Sequence, residues 1–301
     1  APALQAGGQG FDPPSLHKFE NPPEMAGFSF SRCQLNDDLA VSEGRISSER
    51  RGSMLNIVIP MAGRGSRFAD AGYLDPKPLI PIHGKPMIQW VIKNLSPKTE
   101  HRFIFIAQGE HLERYQLQEI LNAWAPGSIL IALDEVTDGA ARTVLMAKNH
   151  IDTDEPLVIA NSDQWIDADI NEFLHGMLTG AVDGTIMTMT ANDPKWSFVA
   201  VDESGFAERV VEKEVISNLA TVGIYGFTRG SDFVAAAESM IRDNFKVNNE
   251  FYVAPAYNWM ISQNDKIDTF NIGAEADGMY GLGIPADLTL FSEHPISKRV
   301  W

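Results

Sequence analysis

The sequence predicts an α/β fold of the doubly wound, Rossmann-like class, a mostly parallel sheet with an antiparallel addition. Three observations carry this expectation. In the first half of the folded region, short apolar runs alternate with stretches of helical length and spacing, the pattern of βαβ units. In the second half, β-rich runs follow one another with turns between them, at Asp193-Pro194 and Glu203-Ser204-Gly205. At the front, a run of β-formers breaks at Pro60 into a glycine loop, the place where an open α/β sheet receives a ligand.

The elements follow in order. Residues 1–53 are rich in Gly, Pro, Ser and charge and hold no sustained period, so they read as a disordered extension or an added leader. A strap packed through Phe11, Phe19, Phe28 and Phe30 is the alternative. The domain itself is expected over 54–301, beginning at Met54. Leu55–Ile59, Phe103–Ala107, Ser128–Leu133 and Leu157–Ala160 read as buried parallel strands. Pro86–Leu95, Leu112–Trp124 and Gly139–His150 read as the helices between them. Gly184–Thr190, Ser197–Val201, Phe206–Glu212 and Ala220–Phe227 form the expected antiparallel addition. Helices return at Ser231–Asp243, Glu250–Gln263 and Pro285–Ser292.

Composition narrows the function. A chain of 301 residues with 44% hydrophobic side chains supplies one large core without requiring a second domain. A net charge of -16 argues against a nucleic acid backbone or an anionic membrane as partner, because long-range repulsion opposes each encounter. The lone Cys33 excludes an intramolecular disulfide and a cysteine zinc site, which fits a cytoplasmic location. No apolar run approaches the roughly 20 residues that span a bilayer, and the start lacks the pattern of a signal peptide. Homo-oligomerisation is left open.

The richest stretch is LNIVIPMAGRGSRFADAGYLDPKP, Leu55 to Pro78. Glycines let the backbone approach an anion closely, and successive loop N–H groups can face phosphate oxygens while cations balance the charge. A dinucleotide fingerprint fails here, since Phe68 holds the third glycine position, and no Gly-Lys-Ser or Gly-Lys-Thr of a P-loop occurs. The loop Ala62-Gly63-Arg64-Gly65-Ser66-Arg67 followed by Pro76-Lys77-Pro78 resembles the signature of the sugar 1-phosphate nucleotidyltransferases. Further blocks are similar too: Asn161-Ser162-Asp163 after a strand, Val211-Glu212-Lys213, and Asn218-Leu219-Ala220 leading into Gly223-Ile224-Tyr225.

The resemblance implies an enzyme that joins the NMP of an NTP to a small phosphorylated acceptor and releases pyrophosphate. It implies that Ala62, Gly63, Gly65 and Ser66 cradle the phosphates, that Arg67 and Lys77 stabilise transferring charge, and that Asp163 binds Mg²⁺. Asp163 as a cap for a following helix is the competing reading. The resemblance gives Glu212 the acceptor hydroxyls, Lys213 its phosphate, and Asn218 and Gly223 supporting contacts, so the antiparallel addition becomes the acceptor-binding part. A base pocket is implied around Asp134, Glu135 and Gly139, where an acidic reader could accept from cytosine N4 or guanine's N–H groups but would meet uracil or thymine O4 unfavourably, which points to CTP. The same acids can instead bias the N-terminus of the following helix. One departure stands out, because Gly281 occupies the position where the family commonly has a second metal-binding aspartate. Either Asp163, phosphates and water hold the metal, or Asp287 substitutes. Asn248-Asn249-Glu250-Phe251-Tyr252 resembles members from capsule and polysaccharide pathways. A glycosyltransferase on a similar fold and a non-catalytic sensing homologue are the rivals.

Overall fold

The computed structural model describes residues 53–299; the expected extension over 1–53 lies, but for Ser53, outside them. Strand β1 (Leu55–Pro60) leads into a loop and the short helix α1 (Ser66–Asp70). A two-stranded hairpin, β2 (Pro81–Ile82) and β3 (Lys85–Pro86), turns at His83 and Gly84. Both turn residues have positive φ, as a tight hairpin of this twist requires. Next come α2 (Met87–Leu95), β4 (His101–Gln108), α3 (Gly109–Arg114), α4 (Leu117–Trp124), β5 (Ile129–Leu133), α5 (Ala140–Leu145), α6 (Lys148–Ile151) and β6 (Leu157–Ala160). After them the chain runs through β7 (Gln164–Ile166), α7 (Ile170–Leu178), β8 (Gly184–Thr190), β9 (Ser197–Val201), β10 (Ala207–Glu212) and β11 (Leu219–Phe227). It ends with α8 (Gly230–Arg242), α9 (Tyr257–Ser262), β12 (Ile267–Glu275), β13 (Gly278–Gly281) and α10 (Pro285–Glu293).

One large sheet has the order β5-β4-β1-β6-β11-β8-β12-β13-β7, with β9 joined to β11 and β10 to β9. The first four strands are parallel, and the chain moves outward from β1 through β4 to β5 before returning to β6 on the other side of β1. That reversal opens a crevice at the carboxyl ends of β1 and β6, where doubly wound sheets bind ligands. β11 runs antiparallel to β6 and β8, and β9–β10 extends it as an antiparallel arm. Strand alternation splits the core: Leu55, Ile57 and Ile59 face one layer with Phe103 and Phe105, while Val58 faces the other with Ile104 and Ile106. A third apolar group joins Trp90, Trp165, Tyr280 and Phe291 around α2 and α10.

The expected doubly wound core is present, with three differences. The helix expected over Leu112–Trp124 breaks at Gln116, whose φ is 50°. Leu112 and Leu117 are five residues apart, about 140° on one continuous helix, and the break lets both pack on the same core. Gly139–His150 likewise divides into α5 and α6. The helix expected from Glu250 forms only at Tyr257, after a 3₁₀ turn over Ala254–Ala256. Upstream, the Phe251 N–H donates to Asp138 O (2.9 Å) and its carbonyl accepts from Ala141 N (3.0 Å), so this backbone is already committed elsewhere. Strands β2, β3, β7, β12 and β13 and helices α1 and α7 match no expected element.

Candidate active site

The loop after β1 is pinned at its start by hydrogen bonds to β4. Met61 N–H still bonds across to Ile106 O, and the Gln108 side chain donates to the carbonyls of Ala62 (2.9 Å) and Gly63 (3.2 Å). Among the described residues, no acceptor receives the N–H groups of Gly63, Arg64, Gly65 or Ser66. Gly65, at φ 60°, caps α1 and turns toward Lys77; a Cβ there would sit 3.3 Å from Lys77 Cβ. Lys77 in turn is fixed between Pro76 and Pro78, whose buried ring anchors the 3₁₀ turn Lys77–Leu79. The two prolines restrict φ on both sides of the lysine, which aims a long side chain from a stiff base.

Across the crevice, Lys77 Nζ donates to Asp163 Oδ2 at 2.8 Å, each side chain being 22% exposed. Asp163 follows β6 and precedes strand β7, so it caps no helix. Its carbonyl accepts from Leu282 N (2.8 Å). Gly283 leaves the room its carboxylate needs, since a Cβ there would lie 2.7 Å from Asp163 Oδ2. The neighbouring Gly281 does the same for Asp287, whose Oδ2 lies 3.2 Å from where a Cβ would be. Burial first, then the charges of Glu275 and Asp163, push the Asp287 carboxyl above the ordinary range, against the pull of Lys195 and Arg67. Two nearby glycines thus make room for two carboxylates, Asp163 on the crevice and Asp287 on the hollow beside Gly281. Among the described residues no group of three or more His, Cys, Asp or Glu is placed to hold a metal.

Two cavities adjoin here. The first, about 310 Å³, is lined by Ala62, Gly63, Lys77, Gly139 and Asp163 of the expected residues, together with Val136, Thr137, Asn161 and Glu250. The second, about 280 Å³, is lined by Glu212, Lys213 and Gly223, together with Gln164, Trp196, Ser197, Tyr225 and Tyr252. Ala140 and Asn161 belong to both walls. Glu212 ends β10 with 8% exposure and accepts a short hydrogen bond from Ser197 Oγ. Burial raises its carboxyl above the ordinary glutamate range, with Ser197 and Lys213 opposing and Glu250 adding to the shift. Lys213 donates to Tyr252 Oη (2.8 Å), and this bond raises its ammonium.

Gly223, at φ 80°, sits where β11 shifts register against β8, a bulge beside the site. A Cβ there would fall 2.2 Å from Asn161 Nδ2, so Gly223→Ala is expected to displace Asn161 and reshape the second cavity, with a ligand of that cavity bound about tenfold more weakly; unchanged binding would contradict this.

Other expected residues lie apart from the cavity walls. Gly65 lies against Lys77, Ser66 and Arg67 are exposed on α1, and Asp134 and Glu135 are exposed before the wall residues Val136 and Thr137. Asn218 is exposed on the turn before β11, its carbonyl accepting from Ala191 N (3.1 Å). Asp287 lines a separate hollow with Glu275 and Gly281. The sequence reading passed over Asn161, Gln164, Trp196, Ser197, Glu250 and Tyr252 as site residues. Position was a usable signal for Asn161, which opens the aspartate motif, and for Gln164, which follows it.

The profile of the family described as nucleotidyl transferase matches residues 57–252. The bifunctional protein GlmU of Methanocaldococcus jannaschii is 29% identical over 178 residues, covering 58% of this chain and 40% of that protein. The mannose-1-phosphate guanylyltransferase catalytic subunit beta of Drosophila melanogaster is 26% identical over 181 residues, covering 58% of this chain and 49% of that one. The chain thus spans about two fifths of the length of the GlmU relatives it matches. In solved structures, a nucleoside-diphosphate-sugar pyrophosphorylase from Vibrio cholerae superposes with a TM-score of 0.66 at 26% identity, covering 79% of this chain and all of that one. The inositol-1-phosphate CTP transferase of T. maritima shares the fold, with a TM-score of 0.62 at 15% identity over 83% of this chain and 97% of that one.

Proposed function

This chain belongs to the nucleotidyl transferase family, and from that membership we propose that it transfers the nucleoside monophosphate of an NTP to a sugar 1-phosphate or similar small phosphorylated acceptor. The observation that carries the reading is the pair of adjoining cavities, one holding Lys77 and Asp163, the other Glu212 and Lys213. A phosphate oxygen of the acceptor attacks the α-phosphorus; a new P–O bond forms, and the bond to the bridging oxygen breaks as pyrophosphate leaves with its electron pair. Gly63, Gly65 and Ser66, with Ala62 beside them, present the cradle for the β- and γ-phosphates. Arg67 offsets charge on the leaving pyrophosphate and Lys77 offsets charge at the α-phosphate. Glu212 accepts acceptor hydroxyls, Lys213 holds its phosphate, and Asn218 and Gly223 support that side.

The family generally uses a divalent metal, and we assign Mg²⁺ to Asp163 with Asp287 as the second carboxylate. The donor set fits a hard cation that keeps several waters and takes substrate phosphate oxygens as ligands. When held by these carboxylates, such an ion would supply positive charge against the substrate phosphates. Asp287→Asn is expected to raise the Mg²⁺ concentration needed for half-maximal activity by about tenfold, as read from a metal titration; an unmoved midpoint would restrict the site to Asp163.

CTP is the proposed nucleotide, carried by Asp134 and Glu135 just before the cavity wall, and a capsule or polysaccharide precursor is the proposed product. Pyrophosphate release across the common NTPs, each paired with a pool of phosphorylated acceptors, tests the function. A glycosyltransferase or a sensing homologue would release none, and UTP matching CTP would remove the nucleotide preference.

Glu212 gives a pH prediction. Its carboxylate must be ionised to accept hydroxyls at both oxygens, and burial raises its pKa. The acceptor KM should therefore rise as pH falls, starting above the ordinary glutamate range, while the NTP KM does not follow. Lys213, Lys195, Glu250, Tyr225 and Tyr252 are the other titratable groups around it. Glu212→Gln should flatten the dependence; a profile unchanged in that variant would assign it to another group.

A further inference from the structure

We infer that Gln164 is the residue that selects the acceptor, by accepting a hydrogen bond from one of its hydroxyl groups. The inference deepens the proposed function and rests on it. Asp163 and Gln164 are consecutive, at the turn that leads from β6 into β7. Asp163 lines the first cavity and Gln164 the second. The residue next to the phosphate-side aspartate therefore faces the acceptor.

Gln164 is 9% exposed, and its Oε1 has no hydrogen-bond partner among the described residues. A buried carbonyl left unpaired is costly, and proteins seldom keep one without a use. Here the surroundings are cleared for it, because a Cβ on Gly223 would lie 2.4 Å from Oε1. Trp196, another residue of that cavity, carries a second buried group without a partner among the described residues, its Nε1. An unpaired acceptor and an unpaired donor in one wall match a hydroxyl, which donates once and accepts as well. A quaternary ammonium offers neither. With Glu212 accepting further hydroxyls, the cavity has the polar complement of a polyhydroxylated ring carried on a phosphate.

The test measures kcat/KM for hexose 1-phosphates, their monodeoxy analogues and phosphocholine, by pyrophosphate release from wild type, Gln164→Leu and Gln164→Glu. A site that hydrogen-bonds a hydroxyl rejects the analogue lacking it, and a loss of about 10–10²-fold is expected at one ring position. Gln164→Leu should lose that discrimination while keeping the NTP KM and a melting temperature equal to or above wild type, since an unpaired polar group is removed. Gln164→Glu, which keeps an accepting oxygen, should restore it. Gln164→Met, unbranched and of equal length, carries the same comparison if leucine disturbs β7. A deoxy profile identical in wild type and the leucine or methionine variant overturns the assignment of Gln164 alone. Absence of pyrophosphate release by wild type with every NTP and acceptor overturns the proposed function and this inference with it.

Discussion

Lys77→Met is expected to lower kcat by about 10²–10³-fold, the usual loss when one preorganised charge is removed from a transition state. Asp163→Asn should cost a similar factor. The two side chains are joined at 2.8 Å, so the double variant should fall well short of the product of the single losses. Stability should hardly move. The pair is 22% exposed on each side, and ion pairs of that kind contribute only about 0–1 kcal/mol. Steady-state pyrophosphate release and thermal melting on the same preparations check both statements. Near-native turnover in either single variant would sink the assignment of this pair to the chemistry.

Gly139→Ala is the second large effect. Gly139 has φ 128° and ψ 162°, a region essentially closed to residues with a Cβ, which costs about 1–3 kcal/mol by itself. The added carbon would also meet the backbone N and O of Phe251 at 2.4 Å, atoms that cannot rotate away. The hydrogen bonds between Phe251 and residues 138–141 would be lost, and with them the placement of Glu250 on one cavity and Tyr252 on the other. The expected result is a lowered melting temperature and a rise of at least tenfold in KM for both substrates. Gly127→Ala is the control: its φ is 77°, but the space around it is open, so stability should drop slightly and the kinetics stay put.

Much of this was legible in the sequence where chemistry and local geometry coincide. Pro76-Lys77-Pro78 announces a stiffly held cation, and Asp163 at the end of an apolar run announces a carboxylate at the same sheet edge. The strands Leu157–Ala160, Gly184–Thr190 and Ser197–Val201 are bounded as their patterns predict. What stayed hidden depends on contacts distant in sequence. β12 has one fully buried side chain, Ile267, its alternation covers only Phe270 to Glu275, and its register breaks between Asn271 and Ala274, so its apolar signal is weak. The extended backbone at Phe251 is imposed by residues more than a hundred positions earlier, and no local propensity encodes that. Gly281 shows the same limit in reverse: the sequence displays a missing aspartate, while only the fold shows Asp287 occupying the space beside it.

The wall shared through Asn161 and Ala140 has a thermodynamic consequence. Two ligands separated by one layer of side chains cannot titrate independently, because whatever ordering the first imposes on Asn161 is already in place when the second arrives. Affinity for the nucleotide and affinity for the acceptor should then change by one common factor, whichever is added first. Paired calorimetric titrations, each ligand with and without a non-reacting form of the other, would read that factor twice. The order of addition seen in kinetics would follow from rates of access alone, since equilibrium allows both paths the same sum.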